Sequence, residues 1–293
     1  MERNPTLEEA PPSAREPLAA HDVEGGGGVQ LQAREWGNRD GRPILFIHGW
    51  SQSQLCWKHQ IESPLAEDFH LITFDCRGHG MSERPLDPNR YLGTQSWAED
   101  VAAVIDRTGI DRPILVGSSY GGLVITDYVR VFGEGAIAGI NLAGGAVMLR
   151  PPSFDHLGPG FLENVEGASA PDLAVNIATM RRFVGALTAR APSDDDQAEM
   201  LCWNMVVPPE VRGALVSREI DSDDVLSSLT VPVLLTHGRQ DAMVLPSMAE
   251  HVREVCASAE VSWYDDAGHL PFLENPARFN RELADFARVA LRS

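Results

Sequence analysis

The chain has 293 residues, 43% of them hydrophobic, with 24 basic and 42 acidic side chains and a formal net charge of −18. That length holds one large α/β domain, or one domain with an inserted lid, and the composition is that of a globular chain. The acidic excess repels nucleic-acid phosphates and anionic lipid surfaces, which argues against both as partners. No run reaches the roughly 18 apolar residues needed to span a membrane.

Residues 1–24 read as a flexible tail. Within them, 1–17 are rich in Glu, Pro and Arg, and no apolar core of a secretory leader follows, so a cytoplasmic protein is the simplest reading. Gly25 to Gly28 read as a turn leading into the first strand. Residues 29–36 alternate as an edge strand does. Short apolar runs follow at 43–47, 71–74, 113–116, 137–142, 231–235 and 261–264. Continuous runs of that length suit strands covered on both faces of a parallel sheet.

Longer amphipathic stretches separate these runs. At 94–108, Trp97, Val101, Val104 and Ile105 recur at helical spacing. Further helices are expected at 120–132, 246–255 and 276–291. Alternating strands and helices predict an α/β doubly wound architecture. Residues 150–226 break the rhythm with helical patterns at 173–187 and 197–216 and no convincing strand. The run Ser193-Asp194-Asp195-Asp196 reads as a charged turn or helix cap. The expected organisation is therefore a tail (1–24), a core (25–149), a helical cap (150–226) and a second core segment (227–293).

Three sequence constellations carry chemistry. The first is Gly117-Ser118-Ser119-Tyr120-Gly121-Gly122, set between a strand and a helix. That context suits a nucleophile elbow, in which Ser119 occupies a strained turn between small neighbours at the N-terminal end of a helix. The second is His48-Gly49-Trp50, directly after the strand at 43–47. A serine hydrolase needs two N–H donors for the oxyanion of its tetrahedral intermediate. The backbone N–H groups of Trp50 and Tyr120 are the candidates, with His48 read as a residue that shapes the loop. The third is the pair Asp241 and His269, each just past the end of a strand. There an α/β sheet presents its catalytic groups. The order Ser119, Asp241, His269 matches the Ser…Asp…His order of a triad in which the imidazole is base and the carboxylate orients it.

Other polar residues read as structural. Asp265 and Asp266 suit a turn, while Asp75 and His79 suit the shaping of the loop at 77–80. His237 shows no partner pattern. The cysteines Cys56, Cys76, Cys202 and Cys256 lie scattered without metal-like spacing, so reduced thiols and no metal are expected.

On these segments (44–50, 74–82, 115–122, 232–241 and 267–274) the chain resembles the α/β-hydrolase superfamily, in its serine esterase and non-haem peroxidase-like branch. The resemblance implies an eight-stranded, mostly parallel sheet flanked by helices, no cofactor, and a pocket between core and cap. It departs at Tyr120, where many relatives carry Met or Gln, and its hydroxyl is expected to alter the pocket. The reading is a hydrolase of a small, largely apolar carboxylic ester or lactone, with a small-molecule substrate as partner and homo-oligomerisation left open. Carbon–carbon bond hydrolysis and perhydrolysis use the same triad and stay as alternatives. So does a non-catalytic ligand-binding protein on this fold. Haloalkane dehalogenase and epoxide hydrolase chemistry need a carboxylate at position 119. For the cap lining, Phe161, Leu162, Met180, Phe183, Trp203, Met205 and Val206 are the candidates.

Overall fold

The computed structural model describes residues 16–150 and 153–291. The part of the expected tail at residues 1–15 lies outside the described residues. Eight strands form one sheet: β1 (Ala19–Glu24), β2 (Gln30–Gly37), β3 (Arg42–Ile47), β4 (Phe69–Asp75), β5 (Ile114–Ser118), β6 (Gly139–Ala143), β7 (Val233–Gly238) and β8 (Ala259–Tyr264). Their order is β1-β2-β4-β3-β5-β6-β7-β8. β2 pairs antiparallel with both β1 and β4, and the remaining pairs are parallel.

The helices α1 (Thr94–Thr108), α2 (Tyr120–Phe132), α3 (Leu173–Gly185), α4 (Asp194–Met205), α5 (Pro209–Val216), α6 (Pro246–Val255) and α7 (Pro276–Ala290) accompany the sheet. Every residue of β4, β5 and β6 is buried. Strands covered on both faces favour apolar side chains on either side, which is why these read as mainly apolar runs, interrupted by the buried polar residues His70, Thr73, Asp75 and Asn141.

Two expectations at the N-terminal side change. Residues 19–24 form a strand, so the outer position belongs to β1 and β2 lies second. Ala, His, Asp and Glu have weak strand preference, and among these six residues only Val23 is buried. The strand forms because β2 offers it a ladder from Ala19↔Glu35 to Glu24↔Gln30. The four glycines close this hairpin, with Gly27 and Gly28 at φ +64° and +79°, where a side chain is disfavoured. Arg77 and Asp100 pin the turn: Arg77 Nη2 donates to the Gly26 carbonyl at 2.9 Å, and the Gly26 N–H donates to Asp100 Oδ1 at 2.9 Å.

Between β6 and β7 the chain is mainly helical. A two-residue ribbon also forms there, pairing Met148–Leu149 with Ile220–Asp221 antiparallel, which the periodicity did not show. The helical stretch at 197–216 is two helices, divided at Val207-Pro208-Pro209, where a proline suits the end of one helix and the start of the next. α3 is capped by Asp172 (2.9 Å to the Val175 N–H) and α4 by Ser193 (3.1 Å to the Asp196 N–H). The three aspartates of the first turn of α4 lie where the helix dipole favours negative charge.

Candidate active site

β5 ends at Ser118 and α2 begins at Tyr120, so Ser119 alone makes the turn. Its backbone lies at φ 52°, ψ −118°, a region a side chain rarely occupies. Surrounding backbone holds it there. The Ser119 N–H donates to the Ala143 carbonyl at 3.3 Å, and the Gly122 and Ala146 N–H groups both donate to the Ser119 carbonyl at 2.9 Å. A Cβ on Gly117 would sit 2.8 Å from the Gly121 carbonyl carbon, and one on Gly121 would sit 2.4 Å from the Ile47 carbonyl oxygen. The glycines are thus required by the closeness of strand and helix.

Asp241 follows β7 and His269 follows β8. His269 Nδ1 lies 2.8 Å from Asp241 Oδ2, with both side chains buried. The other carboxylate oxygen, Oδ1, accepts from the Met243 and Val244 N–H groups at 2.8 and 3.0 Å. Burial pushes the Asp241 carboxyl upward, but the adjacent His269, and the bonds from His237 and His269, outweigh it and hold the group well below the usual carboxylate range. An ionised carboxylate only accepts, so Nδ1 carries the proton and Nε2 keeps a lone pair. The His269 loop is tied down by its own N–H to the Leu187 carbonyl (3.0 Å) and by Glu274, which accepts from the Gly268 and Ala189 N–H groups at 2.8 Å each. Gly144, at φ +55°, backs the pair: a Cβ there would sit 3.2 Å from His269 Nδ1 and 3.4 Å from Asp241 Oδ2. Asp265 and Asp266 are exposed, and Asp265 meets Arg239 at 3.2 Å.

The loop after β3 is fixed by neutral histidines. His48 donates from Nδ1 to the Gly49 carbonyl (2.9 Å), and its Nε2 accepts from the Cys76 N–H (3.0 Å). His79 Nε2 accepts from the Ser51 N–H at 3.1 Å. Burial lowers the pKa of both rings, which keeps them uncharged. Asp75 binds the same region through the Gln54 N–H (2.8 Å), Gln54 Nε2 (2.9 Å) and the Met81 N–H (3.0 Å). Among the described residues, the backbone N–H groups of Trp50 and Tyr120 meet no backbone acceptor. For Tyr120 this follows from its place at the first position of a helix.

The Tyr120 hydroxyl does not serve the pocket as expected. It donates to the Leu215 carbonyl at 3.3 Å and accepts from Arg218 Nη1 at 3.1 Å, and burial raises its pKa to about 12. His237, which the sequence left as a structural or surface residue, is buried, and its Nε2 lies 3.3 Å from Asp241 Oδ2 and donates to the Val244 carbonyl at 2.9 Å. Its place four residues before Asp241 was the only sequence clue. Arg212 on α5 carried no sequence signal at all. Its buried guanidinium donates to Ser51 Oγ (2.9 Å), the Ala168 carbonyl (2.8 Å), Asn176 Oδ1 (2.9 Å) and the Asn204 carbonyl (2.7 Å), all neutral. Burial lowers its pKa to about 10. Ser51, which Arg212 holds, sits at φ +60° beside Trp50.

Ser119, His269, Trp50 and Tyr120 line one small cavity of about 40 Å³, together with Gln52 and an apolar wall including Leu149, Phe161, Phe183 and Val244. Of the expected lining residues, Phe161 and Phe183 are there, each edge-on to Trp50 at 5.5 and 5.1 Å between ring centroids. Met180 is buried away from this cavity, while Leu162 and Val206 are exposed. Trp203 lines a separate cleft of about 470 Å³ with Lys58, Tyr264 and Arg278, which contains none of Ser119, Asp241 or His269. No helix among the described residues is long and apolar enough to cross a membrane.

A family model described as the alpha/beta hydrolase family matches residues 44–282. The solved esterase RhEst1 from Rhodococcus sp. ECU1013 superposes with a TM-score of 0.88 at 34% identity, covering 92% of this chain and 99% of that one. AB hydrolase superfamily protein YisY of Bacillus subtilis is 26% identical over 84% of this chain and 92% of its own length. A non-heme chloroperoxidase of Streptomyces lividans is 26% identical over 89% of this chain and 97% of its own length.

Proposed function

The chain belongs to the alpha/beta hydrolase family, and on that premise we propose that it hydrolyses a small, largely apolar carboxylic ester or lactone through an acyl-enzyme on Ser119. The observation that carries this is the His269–Asp241 pair, 2.8 Å apart and buried, with His269 and the strained Ser119 on the wall of one cavity. His269 Nε2 takes the Ser119 proton as Oγ attacks the ester carbonyl, and returns it to the departing alkoxide. Water then attacks the acyl group by the same route in reverse. Asp241 keeps the ring in the required tautomer and stabilises the imidazolium. The negative oxygen of each tetrahedral intermediate is received by the N–H groups of Trp50 and Tyr120, two donors that no backbone acceptor among the described residues occupies.

The apolar wall and small volume support a short acyl group, and residues 150–226 serve as the cap that supplies Phe161 and Phe183. The solved relative that is named an esterase supports ester hydrolysis as the reaction. The test is labelling with a fluorophosphonate alongside turnover of short p-nitrophenyl esters. Expected are a stoichiometric adduct on Ser119 and a burst of p-nitrophenol. No adduct and no turnover would sink the proposal.

A further inference from the structure

The cavity contains one polar group that neither the fold nor the reaction uses. Gln52 is 2% exposed, and its Oε1 has no hydrogen-bond partner among the described residues. Only its backbone is engaged, with the N–H donating to the Gly49 carbonyl at 3.2 Å. Leaving a buried amide oxygen unpaired costs about 1–3 kcal/mol, so an apolar residue would be more stable there. Its nearby counterpart, Gln54, is fully used: its amide spans Asp75 Oδ2 (2.9 Å) and Thr73 Oγ1 (2.9 Å). The contrast separates a structural glutamine from one whose amide oxygen is buried without a partner among the described residues.

The position of the orphaned oxygen points to a ligand. A methyl placed on Gly49 would touch Ser119 Cβ at 2.9 Å and approach Gln52 Oε1 at 3.6 Å. The Gln52 amide oxygen therefore lies close to Ser119, and both residues belong to the lining of the same cavity. An acyl group bonded to Ser119 Oγ points its carbonyl oxygen at the Trp50 and Tyr120 N–H groups. The carbon next to that carbonyl is two bonds from Oγ, so its substituent comes within reach of a side chain this close to Ser119.

Resting on the hydrolase reading above, we propose that Gln52 is a specificity residue whose amide oxygen accepts a hydrogen bond from an O–H or N–H on the carbon next to the scissile carbonyl. The substrate class is thereby narrowed to short esters or lactones of 2-hydroxy or 2-amino-type acids. The remaining lining is apolar, so this acceptor discriminates where shape alone does not.

The test compares methyl lactate with methyl propionate, which differ by one hydroxyl, in a pH-stat with purified full-length protein. Each kcat/KM is divided by the ester's own rate of hydroxide-catalysed hydrolysis, which removes intrinsic reactivity. Wild type is expected to favour lactate about tenfold, the worth of one well-placed hydrogen bond. In Gln52→Met, of similar length, the ratio falls to about one, and the melting temperature stays level or rises because an unpaired buried amide has gone. A wild-type ratio near one overturns the inference and leaves the hydrolase reading standing. Equal loss on both esters in Gln52→Met, or a melting temperature well below wild type, also overturns it, because the amide then serves the reaction generally or the fold. Failure of the wild type to turn over either ester, with Ser119 unlabelled by fluorophosphonate, overturns both readings together.

Discussion

Replacing Asp241 by Asn keeps the shape of the side chain and changes one acceptor into a donor. The geometry decides which one. Oδ1 accepts from two backbone N–H groups, Met243 at 2.8 Å and Val244 at 3.0 Å, so the amide oxygen must take that place. The NH2 group is then left facing His269 Nδ1, 2.8 Å from where Oδ2 stood. A donor there requires Nδ1 to accept, which moves the ring proton to Nε2, the atom that must receive the Ser119 proton. The general base loses its lone pair while every heavy atom stays in place. The expected loss in kcat is about 10⁴, four factors of ten at about 1.4 kcal/mol each, or about 5.5 kcal/mol of barrier. KM should change little, because the wall of the cavity is untouched. Steady-state hydrolysis of p-nitrophenyl acetate, with a melting curve to confirm folding, measures it. Activity within tenfold of wild type refutes the reasoning and places the orienting acid elsewhere.

Ser119→Ala and His269→Ala are each expected to lower kcat by several orders of magnitude, and the double variant to lose little more, because the two act as one unit; additive losses in kcat count against a shared step. Asp241 also contributes a pH-dependent share of stability. Its folded pKa is depressed, so that share is complete above the unfolded carboxylate value of about 3.9 and is lost as pH falls below it. The stability gap between wild type and Asp241→Asn in urea should therefore shrink from pH 6 to pH 3, and a constant gap contradicts it. Arg212→Met leaves the Asn204 carbonyl bonded to Ser51 Oγ and the Ala168 carbonyl bonded to Asn176 Nδ2, but orphans Asn176 Oδ1. A loss of about 1–3 kcal/mol is expected in calorimetry. With the Arg212 bond to Ser51 Oγ lost beside Trp50, kcat should fall more than KM rises. An unchanged melting temperature and kcat argue against a clamp on that loop.

Local rules made much of this molecule readable from its sequence. Buried strands declare themselves by mainly apolar runs, and a strand–serine–helix turn declares itself by glycines that leave no room for a side chain, as Gly117 and Gly121 show. Asp241 and His269 were legible because each closes a strand at the same end of a parallel sheet, so chain order alone implied their proximity. What depended on distant partners was not legible. β1 has a weak strand composition and exists only because β2 pairs with it. Arg212 reaches Ser51 across 161 positions, and the Tyr120 hydroxyl reaches the Leu215 carbonyl across 95. No periodicity encodes such pairings, since they arise when the helices between β6 and β7 settle on the sheet. Gln52 and Gln54 are two residues apart and chemically identical. Only the packing around them leaves one bonded at both ends of its amide and the other unpaired beside the serine.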